Sequence, residues 1–320
     1  MNVLITGATT PLGRAIVDRL LAAREVGHVL AVGAEHWGPG LPSDGARFHY
    51  EQVDLTRPRS VHDLLHGPAQ SCGIDTVLHG VLHRAVGDRG QRVHAINVDA
   101  TRLLVHACAH HPGIRRFVLR SGSEVYALRA DEPNLLDEDH PLAFDAGAPQ
   151  WLRDRVEADL VTCTQIGTSG LGTSGLAIAV LRCAEILAPG TGSQLWDYLG
   201  SRICLRPLGF DPMINVLSID DALDAVARAL GSDARGVFNI PGFDTLPLSS
   251  LIALAGRRDV PVPGPLLAPL YRLRTRTVGF EFRYDLNAPR FHIGGILDGA
   301  RAHAALGYQP RHPIAPPLAA

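Results

Sequence analysis

The first thirteen residues constrain the fold more than any other stretch of the chain. Asn2 to Thr6 is a short apolar run, Gly7-Ala8-Thr9-Thr10-Pro11-Leu12-Gly13 is a turn with glycine at both ends, and Leu12, Ile16 and Leu20 then share one helical face. A strand passing through a glycine turn into a helix opens a β-α-β unit, and the pattern repeats. Strands are expected near residues 28–32, 47–53, 74–79, 115–119 and 176–181. Val93, Ile96, Ala100, Leu103, Leu104 and Ala107 trace the stripe of one intervening helix, and Leu152, Val156 and Leu160 that of another. This alternation implies an α/β chain with a doubly wound parallel sheet of the Rossmann type, both faces covered by helices.

The 320 residues suffice for such a sheet plus a smaller region. Residues 1–187, completed by 216–240, are expected to form the sheet domain; 188–215 and 241–320, rich in proline and glycine, read as a small lid. Gly167-Thr168-Ser169-Gly170-Leu171 recurs as Gly172-Thr173-Ser174-Gly175-Leu176, read as a surface-loop duplication, and the segment from Pro310 onward reads as a loosely held tail. A net charge of −2 gives no electrostatic reason to expect nucleic acid. Five cysteines without a CxxC pair suit a reducing compartment, and no run is long enough to cross a bilayer, so a cytoplasmic location is expected.

A strand, a glycine turn and a helix N-terminus aim backbone N–H groups and a helix dipole at one spot, where a pyrophosphate can sit. The spacing here is Gly7, Thr10, Gly13, so a side chain stands where a three-glycine loop has its second glycine. The Thr10 hydroxyl can donate to a phosphate, or its bulk can push one away; Thr9, Pro11 and Leu12 complete the loop. At the end of the second strand, where an acid takes the adenine ribose of NAD, stands Gly33. Glu35 lies two residues on, and Arg14 beside the loop suits a 2′-phosphate, so NAD and NADP both remain open, with NAD favoured.

Further landmarks are Thr6-Gly7-Ala8, Asp54-Leu55, His79-Gly80-Val81, Asn97-Val98-Asp99-Ala100-Thr101, Ser121-Gly122-Ser123-Glu124-Val125-Tyr126-Ala127, Arg182, Ile219-Asp220-Asp221-Ala222 and Leu306-Gly307-Tyr308-Gln309-Pro310. With these, the chain resembles the extended short-chain dehydrogenase/reductases, the family of NAD-dependent epimerases and dehydratases. The resemblance implies that Asp54 and Leu55 contact adenine, that Gly80 and Val81 pass the ribose and pyrophosphate, that Asn97 holds the active-site helix, and that Ser121 lies near the cofactor. It also implies a homodimer through helices near 91–111 and 151–165.

The catalytic positions depart from the family. Its YxxxK pair aligns with Trp151 and Arg155, and its serine or threonine with Gly122; the chain contains no lysine at all. An indole N–H only donates and a guanidinium stays charged, so neither serves as a base. Arg155 can still hold the nicotinamide ribose. Ser121 or Ser123 can lean in for the missing hydroxyl, Glu124 stands where related dehydratases place a base, and His79 or His83 can replace the missing base. His62/His66 and His106/His110 have helical i, i+4 spacing, yet nothing completes a ligand set, and no metal site is expected. The arginines at 202 and 206, and at 272, 274 and 276, suit either diphosphate oxygens or a solvated face. The expected function is NAD(P)-dependent chemistry on a nucleotide-sugar-like or other hydroxyl or carbonyl small molecule by a non-standard constellation. The alternative is a catalytically inactive dinucleotide-binding sensor or scaffold.

Overall fold

The computed structural model describes residues 1–36, 40–81, 88–145, 147–168, 175–278 and 282–314. Its strands are β1 (Asn2–Thr6), β2 (His28–Gly33), β3 (Phe48–Gln52), β4 (Thr76–His79), β5 (Arg116–Gly122), β6 (Leu135–Leu136), β7 (Ala177–Cys183), β8 (Glu185–Ile186), β9 (Ile203–Pro207), β10 (Met213–Leu217), β11 (Gly236–Ile240), β12 (Asp244–Pro247), β13 (Arg258–Val262) and β14 (Ile296–Leu297). The helices are α1 (Pro11–Ala22), α2 (Pro58–Leu64), α3 (Gln91–His94), α4 (Ala100–His110), α5 (Gln150–Thr168), α6 (Gln194–Leu199), α7 (Ile219–Leu230), α8 (Leu248–Leu254), α9 (Gly264–Val278), α10 (Tyr284–Ile293) and α11 (Ala300–Leu306).

Seven strands pair in the order β3-β2-β1-β4-β5-β7-β11, every neighbour parallel. The chain winds outward from β1 in one direction and then from β4 in the other. The crevice between the carboxyl ends of β1 and β4 is therefore the ligand-binding switch point of the sheet. Alternating residues feed two cores. Val3, Ile5, Val29 and Val118 join α1 and α7 on one face; Leu4, Leu30, Val77 and Phe117 join α2 and α4 on the other. The expected α1 face, Leu12, Ile16 and Leu20, is buried as read from the spacing.

Two helices depart from their apolar periodicity. A π turn, Ala95–Asp99, separates α3 from α4 and adds a residue to the winding. Asn97, Thr101, Leu104, Val105 and Cys108 consequently face the core, whereas Leu103 and Ala107 are only partly buried. In α5 the buried side is largely polar: Trp151, Asp154, Arg155, Asp159 and Thr162 point inward, and Leu152 and Leu160 are half-buried.

The lid has its own core, in which Tyr198, Tyr271, Phe282 and Phe291 pack edge to face and stacked at 4.9–5.4 Å between ring centroids. Val216 lies in β10, which pairs with β8 and β12 in a separate three-stranded sheet, so the second crossing into the large sheet is made by β11. The expectation of a loose tail from Pro310 is corrected for its described part. Buried Asp221 accepts from the Arg311 and His312 backbone N–H groups at 3.0 and 3.1 Å and pairs with the His312 ring at 2.7 Å, and Asp244 accepts from Ile314 N at 2.6 Å. The repeat at 167–176 and the tail beyond Ile314 lie largely or wholly outside the described residues. No described helix is long and apolar enough to cross a membrane.

Candidate active site

Gly7 sits at φ +75°, a conformation that side chains resist, and a Cβ there would lie 3.2 Å from the backbone of Gly80. Gly13 is tighter still: a Cβ would stand 2.1 Å from the Gly7 carbonyl oxygen. The two glycines therefore let the loop fold under the start of α1 and let β1 and β4 close to backbone contact. Thr10 is the N-cap of α1, and its hydroxyl accepts from Gly13 N–H at 2.9 Å. The hydroxyl proton remains to donate outward. Thr10 N–H goes to the Gly7 carbonyl, Pro11 has no N–H, and Arg14 N–H returns to the Thr10 carbonyl. Leu12 is thus the first-turn residue whose N–H has no such partner among the described residues.

His79 is fully buried beneath this loop, and its hydrogen bonds fix its tautomer. Thr101 donates to the Asn97 carbonyl at 2.7 Å, so it accepts from His79 Nε2–H at 3.0 Å. Nδ1 is then an acceptor for the Thr6 hydroxyl at 2.8 Å, which itself accepts from Gly80 N–H at 3.1 Å. Burial, with the nearby Arg120 charge second, pushes the imidazole down to about 4. His79 is a neutral, buried strut that positions Gly80. His83 lies outside the described residues.

At the end of β2 the Glu35 carboxylate stands over Gly33. A Cβ on Gly33 would stand 3.0 Å from Glu35 Oε2, and the Thr9 hydroxyl donates to the same oxygen at 3.0 Å. Tyr50 O–H anchors the segment by donating to the Glu35 carbonyl at 2.5 Å; burial, with Glu35 second, pushes the phenol up to about 12. Asp54 accepts from Thr56 and pairs with Arg57 at 3.0 Å, which holds its carboxyl below the ordinary range, the Thr56 hydroxyl foremost. Leu55 is in the core and Val81 is partly buried against it.

Trp151 and Arg155, one helical turn apart on α5, stack with the guanidinium 4.1 Å from the ring centroid. The indole Nε1 is buried and has no hydrogen-bond partner among the described residues. Arg155 donates to Glu124 Oε1 at 2.5 Å. This pair depends on Gly122, because a Cβ there would lie 2.1 Å from the Glu124 carboxylate. Glu124 therefore fills the space that a side chain at position 122 would take. Ser121 points the other way, donating at 2.6 Å to buried Asp159, which also binds Arg182 at 2.7 Å. Ser123 begins a 3₁₀ turn and is half-buried. Asn97 reaches Asp154 on α5 at 3.4 Å, and His94 reaches the same carboxylate at 2.9 Å. Tyr126 is a buried packing residue whose hydroxyl donates to Asn239 at 2.6 Å.

Arg120, Gly122, Glu124, Arg155, Glu185 and Ser193 face one cleft. Glu185 takes a hydrogen bond from Ser193 at 2.5 Å and pairs with Arg290 of the lid, so the lid is tied to the sheet at the rim of the site. Sequence reasoning did not single out Arg120 or Glu185. A signal existed for Arg120, since a charged residue near the carboxyl end of an apolar central strand has no core to join. The lid arginines divide: Arg206 pairs with Asp259 and Arg274 binds the Ile203 carbonyl, both within the lid, whereas Arg272 and Arg276 line a groove between α9 and α10.

Residues 3–147 match the model of the NAD dependent epimerase/dehydratase family. The chain is similar to an uncharacterized protein, Rv0501, of Mycobacterium tuberculosis, 29% identical over 97% of this chain and 80% of that one. It is also similar to a 3-diazoavenalumate denitrifying reductase of a Streptomyces species, 27% identical over 98% and 97% of the two chains. Among solved structures, MoeE5 in complex with UDP-glucuronic acid and NAD superposes with a TM-score of 0.69 at 20% identity, over 98% of this chain and 95% of that one. A UDP-glucuronic acid 4-epimerase from Bacillus cereus gives 0.69 at 17% identity, with the same coverage. Residues 3–147 thus resemble the NAD dependent epimerase/dehydratase family, and the whole chain shares the fold of these solved structures.

Proposed function

We propose that this protein is an NAD-dependent oxidoreductase acting on a hydroxyl or carbonyl small molecule, nucleotide-sugar-like in kind, with Glu124 as the proton-transfer group. The observation that carries this reading is the Glu124–Arg155 pair at 2.5 Å, seated over Gly122 in the cleft beside the dinucleotide loop. The loop fits a dinucleotide: Gly7, Gly80 and Gly13 provide close backbone approach, and Glu35 stands over Gly33 to receive ribose hydroxyls. The same carboxylate repels a 2′-phosphate, which favours NAD over NADP. When bound, the nicotinamide supplies or takes the hydride.

The chain's own groups handle the rest. Of the groups facing the cleft, a guanidinium does not release a proton, whereas a carboxylate can take a hydroxyl proton and return it; of the two carboxylates there, Glu185 is held by Ser193 and Arg290, and Glu124 lies beside Arg120 and Gly122. Arg155 fixes the carboxylate, and Trp151 fixes Arg155 by stacking. A homodimer through the outer faces of α4 and α5 belongs to the same reading.

Reduction of an acceptor that needs no proton at oxygen is a second reading. It is supported by the indole in place of a phenol, and by likeness to a reductase whose name describes a diazo substrate. One experiment separates the two. In single-turnover assays of bound NADH with carbonyl and diazo acceptors, Glu124→Gln is expected to lose about 10²- to 10⁴-fold with carbonyls while NADH affinity holds. Undiminished carbonyl turnover refutes the role of Glu124, and diazo turnover that survives the substitution supports the second reading.

A further inference from the structure

Arg120, on β5, lies at the junction of two clefts. With Gly7, Thr10, Gly13 and Gly80 it lines the one beneath the glycine loop, and with Glu124 and Arg155 it lines the other. Its guanidinium reaches across β4 to within 3.5 Å of the Gly80 carbonyl. The start of α1 is short of donors. Gly13 N–H is taken by the Thr10 hydroxyl, Thr10 N–H by Gly7, and position 11 is proline, which leaves Leu12 N–H and the Thr10 hydroxyl proton at the start of α1. A pyrophosphate carries two charges and many acceptor oxygens, and a guanidinium is the side chain best shaped to meet them.

We propose that Arg120 is a diphosphate-binding residue that makes good the donors lost at Thr10 and Pro11, and that it makes this site select ligands with a diphosphate over those with a single phosphate. The inference rests on the dinucleotide reading of the site. Its chemistry is that of an adenosine diphosphate moiety extended toward the Glu124 cleft.

The test titrates the full-length protein with NADH, ADP-ribose, ADP and AMP, in the wild type and in Arg120→Met and Arg120→Gln. Gln keeps a donor for the Gly80 carbonyl, so loss of fold and loss of charge are separable, and thermal melts check both variants. Both are expected to weaken NADH, ADP-ribose and ADP by about ten- to a hundredfold while AMP changes little, and to flatten the salt dependence of NADH binding. Equal affinity of wild type and folded variants for the three diphosphates overturns the role of Arg120 alone. A uniform loss that includes AMP also overturns it, since that is the mark of a general structural defect. A wild type that takes neither NADH nor ADP-ribose overturns the dinucleotide reading, and this inference with it.

Discussion

Gly122 and Glu124 behave as one substitution. Any side chain at 122 would meet the Glu124 carboxylate, so the glycine is what lets the acid turn inward and bond to Arg155. The absent side chain at 122 and the inward carboxylate of Glu124 occupy the same space. Restoring only the other two positions therefore leaves the site incomplete. Trp151→Tyr combined with Arg155→Lys is expected to yield no epimerase turnover on UDP-sugars, measured by coupled assay, because Gly122 still offers no hydroxyl and Glu124 still fills the space. Robust turnover would show that Tyr and Lys alone were missing. The neighbours Trp151 and Arg155, one helical turn apart, were legible in the sequence as one site. The compensating pair was not, since nothing in the order of residues tells that Glu124 folds back over Gly122 to a residue 31 positions away.

At the scale of elements, local patterns were readable and long-range ones were not. The glycine turn and the face of α1 follow from neighbours a few residues apart, and the parallel order of the sheet follows from the alternation of strands with helices. The buried side of α5 does not, because its polar residues are stabilised by distant partners: Asp154 by His94, Asp159 by Ser121 and Arg182. Apolar spacing accordingly pointed to Leu152 and Leu160 instead. The π turn before α4 likewise rotates the helix without a sequence mark. The α3–α5 contact carries a pH dependence. His94 is held above its ordinary 6.5, by its hydrogen bond to Asp154 foremost. A proton bound more tightly in the folded state stabilises it below about pH 6.5, and that contribution disappears as pH rises through the raised value. Melting temperatures from pH 6 to 9 should therefore fall more steeply for the wild type than for His94→Gln. Parallel curves would mean that the pair does not couple to folding.

For the whole molecule, the C-terminal segments share the core of the sheet, where Leu297, Ala302, Leu306 and Tyr308 pack with Val3, Ile5 and Val118, and polar ties add to that contact. Glu185 with Arg290 is one, and Asp221 with residues 311 and 312 is another; the second spans about ninety positions, which is why the segment up to Ile314, read as part of a tail, proves to be held. Asp221→Ala is expected to cost about 1–3 kcal/mol in urea unfolding, because it removes a buried carboxylate that accepts from two backbone N–H groups and pairs with the His312 ring, and to expose the segment near Arg311 to protease. A cost below about 0.5 kcal/mol would show that the segment is not structurally coupled. The central claim, that the crevice between β1 and β4 takes NAD, is tested most directly by titrating the purified protein, stripped of bound nucleotide, with NADH and NADPH and following fluorescence. The account predicts saturable binding of NADH, weaker binding of NADPH, and a narrowing of that gap in Glu35→Ser; no binding of either cofactor at millimolar concentration would contradict it.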